Sequence, residues 1–146
     1  MASFMPDSSV MVPALSYWHE HHERATRAIN MRRERGDTML IAGRSLVETY
    51  SVVTRLPPGK RLSAKVARDL IEPSFIAGLR VIVMPPSGYR QLLDRCAEAN
   101  VIGGGAHDAE IAFCAIAANV DAFLTFNKRH FTTFVELASR VVVPEE

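Results

Sequence analysis

The stretch Phe4-Met5-Pro6-Asp7-Ser8-Ser9-Val10 is a short apolar run stopped by an acid and two hydroxyls. Apolar residues bounded by Asp and Ser read as a buried strand that ends in a turn. Downstream, Leu15, Trp18, His22, Ala25 and Ile29 recur at three- and four-residue steps, which predicts one long helix with Trp18 in its packed stripe. Gly36-Asp37 interrupts that period, Thr38 to Ala42 reads as a second strand, and Ser45 opens a second helix with Leu46, Tyr50, Val53 and Leu56 along one face. Pro57-Pro58-Gly59 closes it.

The same beat continues to the end of the chain. Lys60 to about Phe75 predicts a third, basic amphipathic helix, and Leu79 to Met84 a β-branched strand stopped by Pro85-Pro86. Gly88 to Asn100 reads as a helix, Gly103 to Gly105 as a flexible link, and Asp108 to Asn119 as an alanine-rich helix. Ala122 to Thr125 and Arg140 to Val143 supply the last strands. Strands that alternate with helices imply a mostly parallel sheet, because parallel strands need crossovers that lay helices on both faces. The expectation is a three-layer α/β/α sandwich, with residues 1–146 as a single domain free of repeats and long linkers.

Composition narrows the function. Of the residues, 48% are hydrophobic and 23% charged, which suits one compact core. The 17 basic and 16 acidic residues nearly cancel, so no global positive field advertises a polyanion binder and any such site must be local. Cys96 and Cys114 are the only cysteines and form no C-x-x-C pair, which fits reduced thiols inside a cytoplasmic protein. No uninterrupted apolar segment approaches the ~18 residues of a membrane span.

In parallel sheets ligands bind beyond the carboxyl ends of the strands. Asp7 stands directly after the first strand, although Asp-Ser-Ser is also ordinary turn and capping chemistry. Glu48 lies one turn into the second helix, where Ser45-Leu46-Val47-Glu48 also reads as a capping box. Asp108 falls in line with Ala112 and Ala115, a face expected to pack inward, where a carboxylate needs a counter-charge such as Arg44 or a metal ion. If the three acids converge, their repulsion calls for a hard divalent cation, Mg2+ or Mn2+ rather than zinc. His19, Glu20, His21, His22 and Glu23 complete no zinc pattern and read as a polar helix face. Lys60, Arg61, Lys65 and Arg68 read as the wet side of their helix, with guidance of RNA the alternative.

Taken together, Pro6-Asp7-Ser8-Ser9-Val10, Ser45-Leu46-Val47-Glu48-Thr49-Tyr50, Gly104-Gly105-Ala106-His107-Asp108-Ala109 and Leu124-Thr125-Phe126-Asn127-Lys128-Arg129-His130-Phe131 resemble, in order and spacing, the PIN-domain nucleases and among them the VapC-type toxins of toxin-antitoxin pairs. The resemblance implies that Asp7, Glu48 and Asp108 are acidic metal ligands for Mg2+ or Mn2+, that Ser9 supports them, and that Asn127 stands at a fourth position that is acidic in many members. Asp121 is a weaker candidate for the missing charge. It further implies an endoribonuclease that hydrolyses RNA with metal-activated water, a cognate VapB-type antitoxin and a homodimer. Lys128, Arg129 and His130, at the mouth of the site, then bind flanking phosphates or form a solvated basic turn. The competing reading is a noncatalytic α/β module that holds a nucleotide or phosphate with magnesium. A metal-free structural role for the acids is the third.

Overall fold

A computed structural model describes residues 2–146. Five strands, β1 (Ser3–Pro6), β2 (Thr38–Ala42), β3 (Arg80–Ile82), β4 (Ala122–Leu124) and β5 (Val141–Val142), form one sheet in the order β3-β2-β1-β4-β5. Every neighbouring pair is parallel, with Phe4 opposite Met39 on one side and Ala122 on the other.

Alternation along the strands sends side chains to two separate cores. Met5, Leu40, Ala42 and Phe123 enter a cluster with Leu92, Cys96, Ile111 and Phe131 from α5 (Gly88–Glu98), α6 (Gly105–Ala117) and α7 (Lys128–Phe131). Phe4, Met39, Ile41 and Leu124 enter the other, with Val10 and Met11 of α1 (Ser8–Leu15) and Ala25 and Ile29 of α2 (His22–Glu34). That is the expected sandwich. The two faces of each strand are both apolar because both are covered. A smaller cluster of Val12, Val53 and Ala67 ties α1 to α3 (Gly43–Thr54) and α4 (Ala64–Ile71).

Helix ends follow from local chemistry. Gly36, Asn100 and Asn119 take φ of 93, 52 and 51° after α2, α5 and α6. This left-handed residue lets Asp37, Val101 and Val120 N–H return to the carbonyls of Arg32, Cys96 and Ala115. Glycine and asparagine adopt that conformation at least cost.

Several expectations need correction. The long helix after Asp7 is two helices, α1 and α2, separated by a turn over residues 16–21. The Ser16 hydroxyl caps the break by donating to Val12 C=O at 2.8 Å, and His19 and His22 N–H bond three residues back, which keeps the apolar phase running across a non-helical turn. Trp18 therefore sits half-buried in that turn, under the Lys60 ammonium, and joins none of the three cores. The third helix starts after Ser63, whose Oγ accepts from Val66 N–H, not at Lys60. It widens at Glu72–Ile76, where Pro73 cannot donate and Ala77 N–H reaches Glu72 C=O. No described helix is long and apolar enough to cross a membrane.

Candidate active site

From β1 the chain winds outward through β2 and β3, then returns to place β4 on the other side of β1. Between β1 and β4 the direction of winding reverses, and the crevice beyond their carboxyl ends is where such sheets bind ligands. Asp7 follows β1 and Thr125 follows β4, both buried there. The Thr125 hydroxyl donates to Asp7 Oδ2 at 2.7 Å and the Ser9 hydroxyl donates to Asp7 Oδ1 at 2.5 Å. Each hydroxyl in turn accepts a backbone N–H, Thr125 from Asn127 and Ser9 from Phe126, both at 2.9 Å. With their acceptor sites taken by N–H groups, both hydroxyls point their protons at the carboxylate.

Burial nevertheless pushes the Asp7 carboxyl up from its ordinary 3.8 to about 6, with Asp108 adding to the rise, against the opposing pull of Ser9 and Thr125. Asp108, in the first turn of α6, is half-buried, and its Oδ2 lies 3.1 Å from His130 Nδ1. Its carboxyl is also raised by burial, with His130 and His107 opposing. Asp108 is thus hydrogen-bonded to His130 of α7 rather than paired with Arg44, which instead meets His107 Nδ1.

Glu48 is not a cap partner of Ser45. Helix α3 begins at Gly43, so Ser45 is buried inside its first turn with an unpartnered Oγ. Glu48 Oε2 accepts instead from the Ser8 hydroxyl at 3.0 Å, one residue from the Ser9 that holds Asp7. The structure thus couples Asp7, Ser9 and the 125–127 backbone directly, sets Asp108 within electrostatic reach, and links Glu48 through α1. Among the described residues no three His, Cys, Asp or Glu side chains gather closely enough to form a metal-binding group. Asn127 is exposed, with its backbone bonded to Thr125 and His130. Lys128 and Arg129 are exposed beside it. Asp121 is elsewhere: it immediately precedes β4, at the amino-terminal end of the strands, and accepts from Ser3 N–H at 2.8 Å.

Sequence reasoning missed Thr125 and Ser8. Thr125 had the same signal as Asp7, a polar residue immediately after an apolar strand, but it reads equally well as the strand's last β-branched residue. Among the described residues the histidine cluster brings no three ligating side chains together, and its ring nitrogens have other partners: His22 Nδ1 is 2.8 Å from Pro13 C=O and His19 Nδ1 accepts from His21 N–H. Lys65 and Arg68 pair with Asp69 and Glu72, as a solvated helix face does.

Comparison with known proteins places this architecture. The profile of the PIN domain family matches residues 4–137. Ribonuclease VapC40 of Mycobacterium tuberculosis is 39% identical over 136 residues, 93% of this chain and 95% of its own length. Ribonuclease VapC27 of the same organism is 31% identical over 137 residues, 94% of this chain and 93% of its own. Among solved structures, VapBC2 from Rickettsia felis bound to a promoter DNA fragment superposes with a TM-score of 0.70 at 17% identity, covering 98% of this chain and 99% of that one. The M. tuberculosis Sarcin-Ricin loop cleaving toxin VapC20 gives 0.67 at 13%, covering 87% and 92%. With a buried strand-end carboxylate, Asp7, at the switch point of an all-parallel sheet, and with relatives of this identity and coverage, the chain belongs to the PIN domain family as one of its VapC-type members.

Proposed function

We propose that the chain is the toxin of a toxin-antitoxin pair, a metal-dependent endoribonuclease of one domain that hydrolyses RNA phosphodiester bonds at Asp7, Asp108 and Glu48. The observation that carries the proposal is Asp7: a carboxylate buried at the switch point, its proton affinity raised by burial and by a second carboxylate, Asp108. Such a pair is unstable without a cation, and oxygen donors suit a hard one. Magnesium needs only one or two carboxylates and keeps several waters, which fits a site in which Glu48 stays with Ser8. When bound, Mg2+ or Mn2+ supplies Lewis-acid polarisation of the phosphodiester and makes water a competent nucleophile at neutral pH.

The chain's own residues do the rest. Ser9 and Thr125 fix both oxygens of Asp7, His130 fixes one oxygen of Asp108, and Ser8 fixes Glu48. Asn127 offers an uncharged amide at the mouth, and exposed Lys128 and Arg129 offer cations to flanking phosphates. A VapB-type antitoxin and a second copy of the chain complete the assembly we propose. Exposed apolar side chains at Val47, Tyr50 and Ile76, and at Val81, Val83 and Leu93, leave surface for both contacts.

The test is cleavage of a labelled RNA by the purified chain, free of any partner, with Mg2+ or Mn2+, with chelator, and with an identically prepared Asp108→Asn variant. Metal-dependent cleavage that the variant lacks is the expected result. Equal cleavage by both preparations identifies a contaminant. No cleavage with either metal across several RNAs returns the site to a noncatalytic binding role.

A further inference from the structure

Four rings run in a row away from the acid site. Phe126, next to Asn127, stacks on His21 with 4.4 Å between ring centroids and 17° between planes. His21 meets His19 at 5.5 Å, and His19 meets Trp18 at 5.6 Å. A cation stands at each end: the Arg24 guanidinium lies 5.1 Å from the Phe126 centroid and Lys60 Nζ 4.8 Å from that of Trp18. Beside the row opens a cavity of about 440 Å³ walled by His19, His21, Phe126 and Asn127 together with Ser8 and Ser9, the hydroxyls that hold Glu48 and Asp7. The row and the acid site thus share walls.

Core packing accounts for Phe126, which borders the core of Phe4 and Leu124, but not for Trp18, which joins none of the three buried clusters, nor for the half-buried His19 and His21 beside it. The imidazoles are not arranged for a metal either. His19 Nδ1 accepts from His21 N–H at 3.0 Å, which leaves the proton of the neutral ring on Nε2, and burial, with His21 next, lowers its pKa. A neutral donor edge, flat π faces and flanking cations are what unpaired bases meet on proteins that bind single strands, where stacking supplies affinity and cations follow the backbone. The cavity falls in the range of small-ligand sites, above ~300 Å³.

We propose that the row Trp18, His19, His21 and Phe126 is a stacking platform for single-stranded RNA, and that the adjoining cavity seats the nucleobase beside the phosphate to be cut. The proposal rests on the RNA-cleaving reading for its substrate, and its test is separable from cleavage. A duplex cannot use the platform, since its bases are already stacked, so the site selects loops and unpaired segments.

Trp18 is the chain's only tryptophan, so its fluorescence reports on the row. The wild-type chain, in chelator to silence cleavage, is titrated with a short single-stranded RNA and with the same RNA carrying one abasic site at successive positions. RNA is expected to quench Trp18, and removing the seated base to weaken binding about 5- to 150-fold, the range of one aromatic–base stack. His21→Ala is expected to weaken binding of intact RNA comparably, and His21→Phe, which keeps a flat ring, to restore most of it. Abasic RNAs that all bind as tightly as the intact strand overturn the proposal, as does an RNA that does not bind at all. If His21→Ala fails to fold, the abasic series on the wild-type chain decides alone. Base-dependent binding with no cleavage in any metal upholds the platform and sinks the nuclease reading. Cleavage without base dependence does the reverse.

Discussion

Replacing Asp7 by Asn should make the metal-free chain more stable at neutral pH while removing its activity. The buried carboxyl is raised from 3.8 to about 6, close to two units, and each unit corresponds to ~1.4 kcal/mol between the two protonation states. Well below pH 3.8 the group is protonated in folded and unfolded chains alike and has no pH-dependent effect. Between about 4 and 6 the unfolded chain releases the proton while the folded chain keeps it, so folding stability falls as pH rises. Above 6 both states are ionised and the accumulated loss, at most ~3 kcal/mol, is constant. Asparagine cannot ionise, so the variant lacks this slope. It carries instead a fixed cost of ~1 kcal/mol for a mismatched hydroxyl partner at Ser9 or Thr125. Denaturant unfolding of both proteins in chelator, from about pH 4 to 7, gives the difference directly, and carboxylates common to both cancel. Wild type should lose up to ~3 kcal/mol relative to the variant across that window. Mg2+ or Mn2+ at a hundred times its dissociation constant should return ~2.7 kcal/mol to wild type and little to the variant. Parallel pH profiles, or equal stabilisation by metal, would refute the reasoning.

Thr125→Val removes a donor to Asp7 and the acceptor of Asn127 N–H, and should cost ~1–3 kcal/mol by denaturant unfolding. It should also move the acidic limb of the pH–rate profile upward, since the carboxylate loses a partner that favours its charge. Ser8→Ala should leave stability within ~1 kcal/mol, because the bond is only part-buried, yet lower cleavage by freeing Glu48. Phe123→Ala, in a strand with no exposed surface at that ring, should cost ~3–5 kcal/mol and lower Tm without affecting metal affinity in the folded fraction.

The layers of the fold were legible because strands buried on both faces are continuous apolar runs, and Phe4 to Pro6 and Met39 to Ala42 are such runs between polar stops. Asp7 was legible for the same reason, as the first polar residue after one of them. The break between α1 and α2 was not, because its turns carry the apolar residues forward in phase. Glu48 was visible as a candidate but its partner was not: the capping-box spacing points to Ser45, while the folded chain brings in Ser8 from 40 residues away. His130 as the counterpart of Asp108 likewise depends on α7 crossing α6, a tertiary contact that no local pattern encodes.

The pairing of β1 with β4 has a consequence for synthesis. Phe4 aligns with Ala122, and Thr125 reaches Asp7 across 118 positions of chain. Closing so long a loop is slow and cannot begin until its far end exists. On a ribosome, which extends a chain by ~5–20 residues each second, Asp7 therefore waits several seconds without its second hydroxyl donor and without the strand that walls its crevice. A nascent or prematurely terminated product that stops short of residue 122 holds Asp7 and Glu48 in an unfinished sheet. On the proposed function, activity thus begins only once the chain is long enough for β4 to pair with β1 and for Thr125 to reach Asp7.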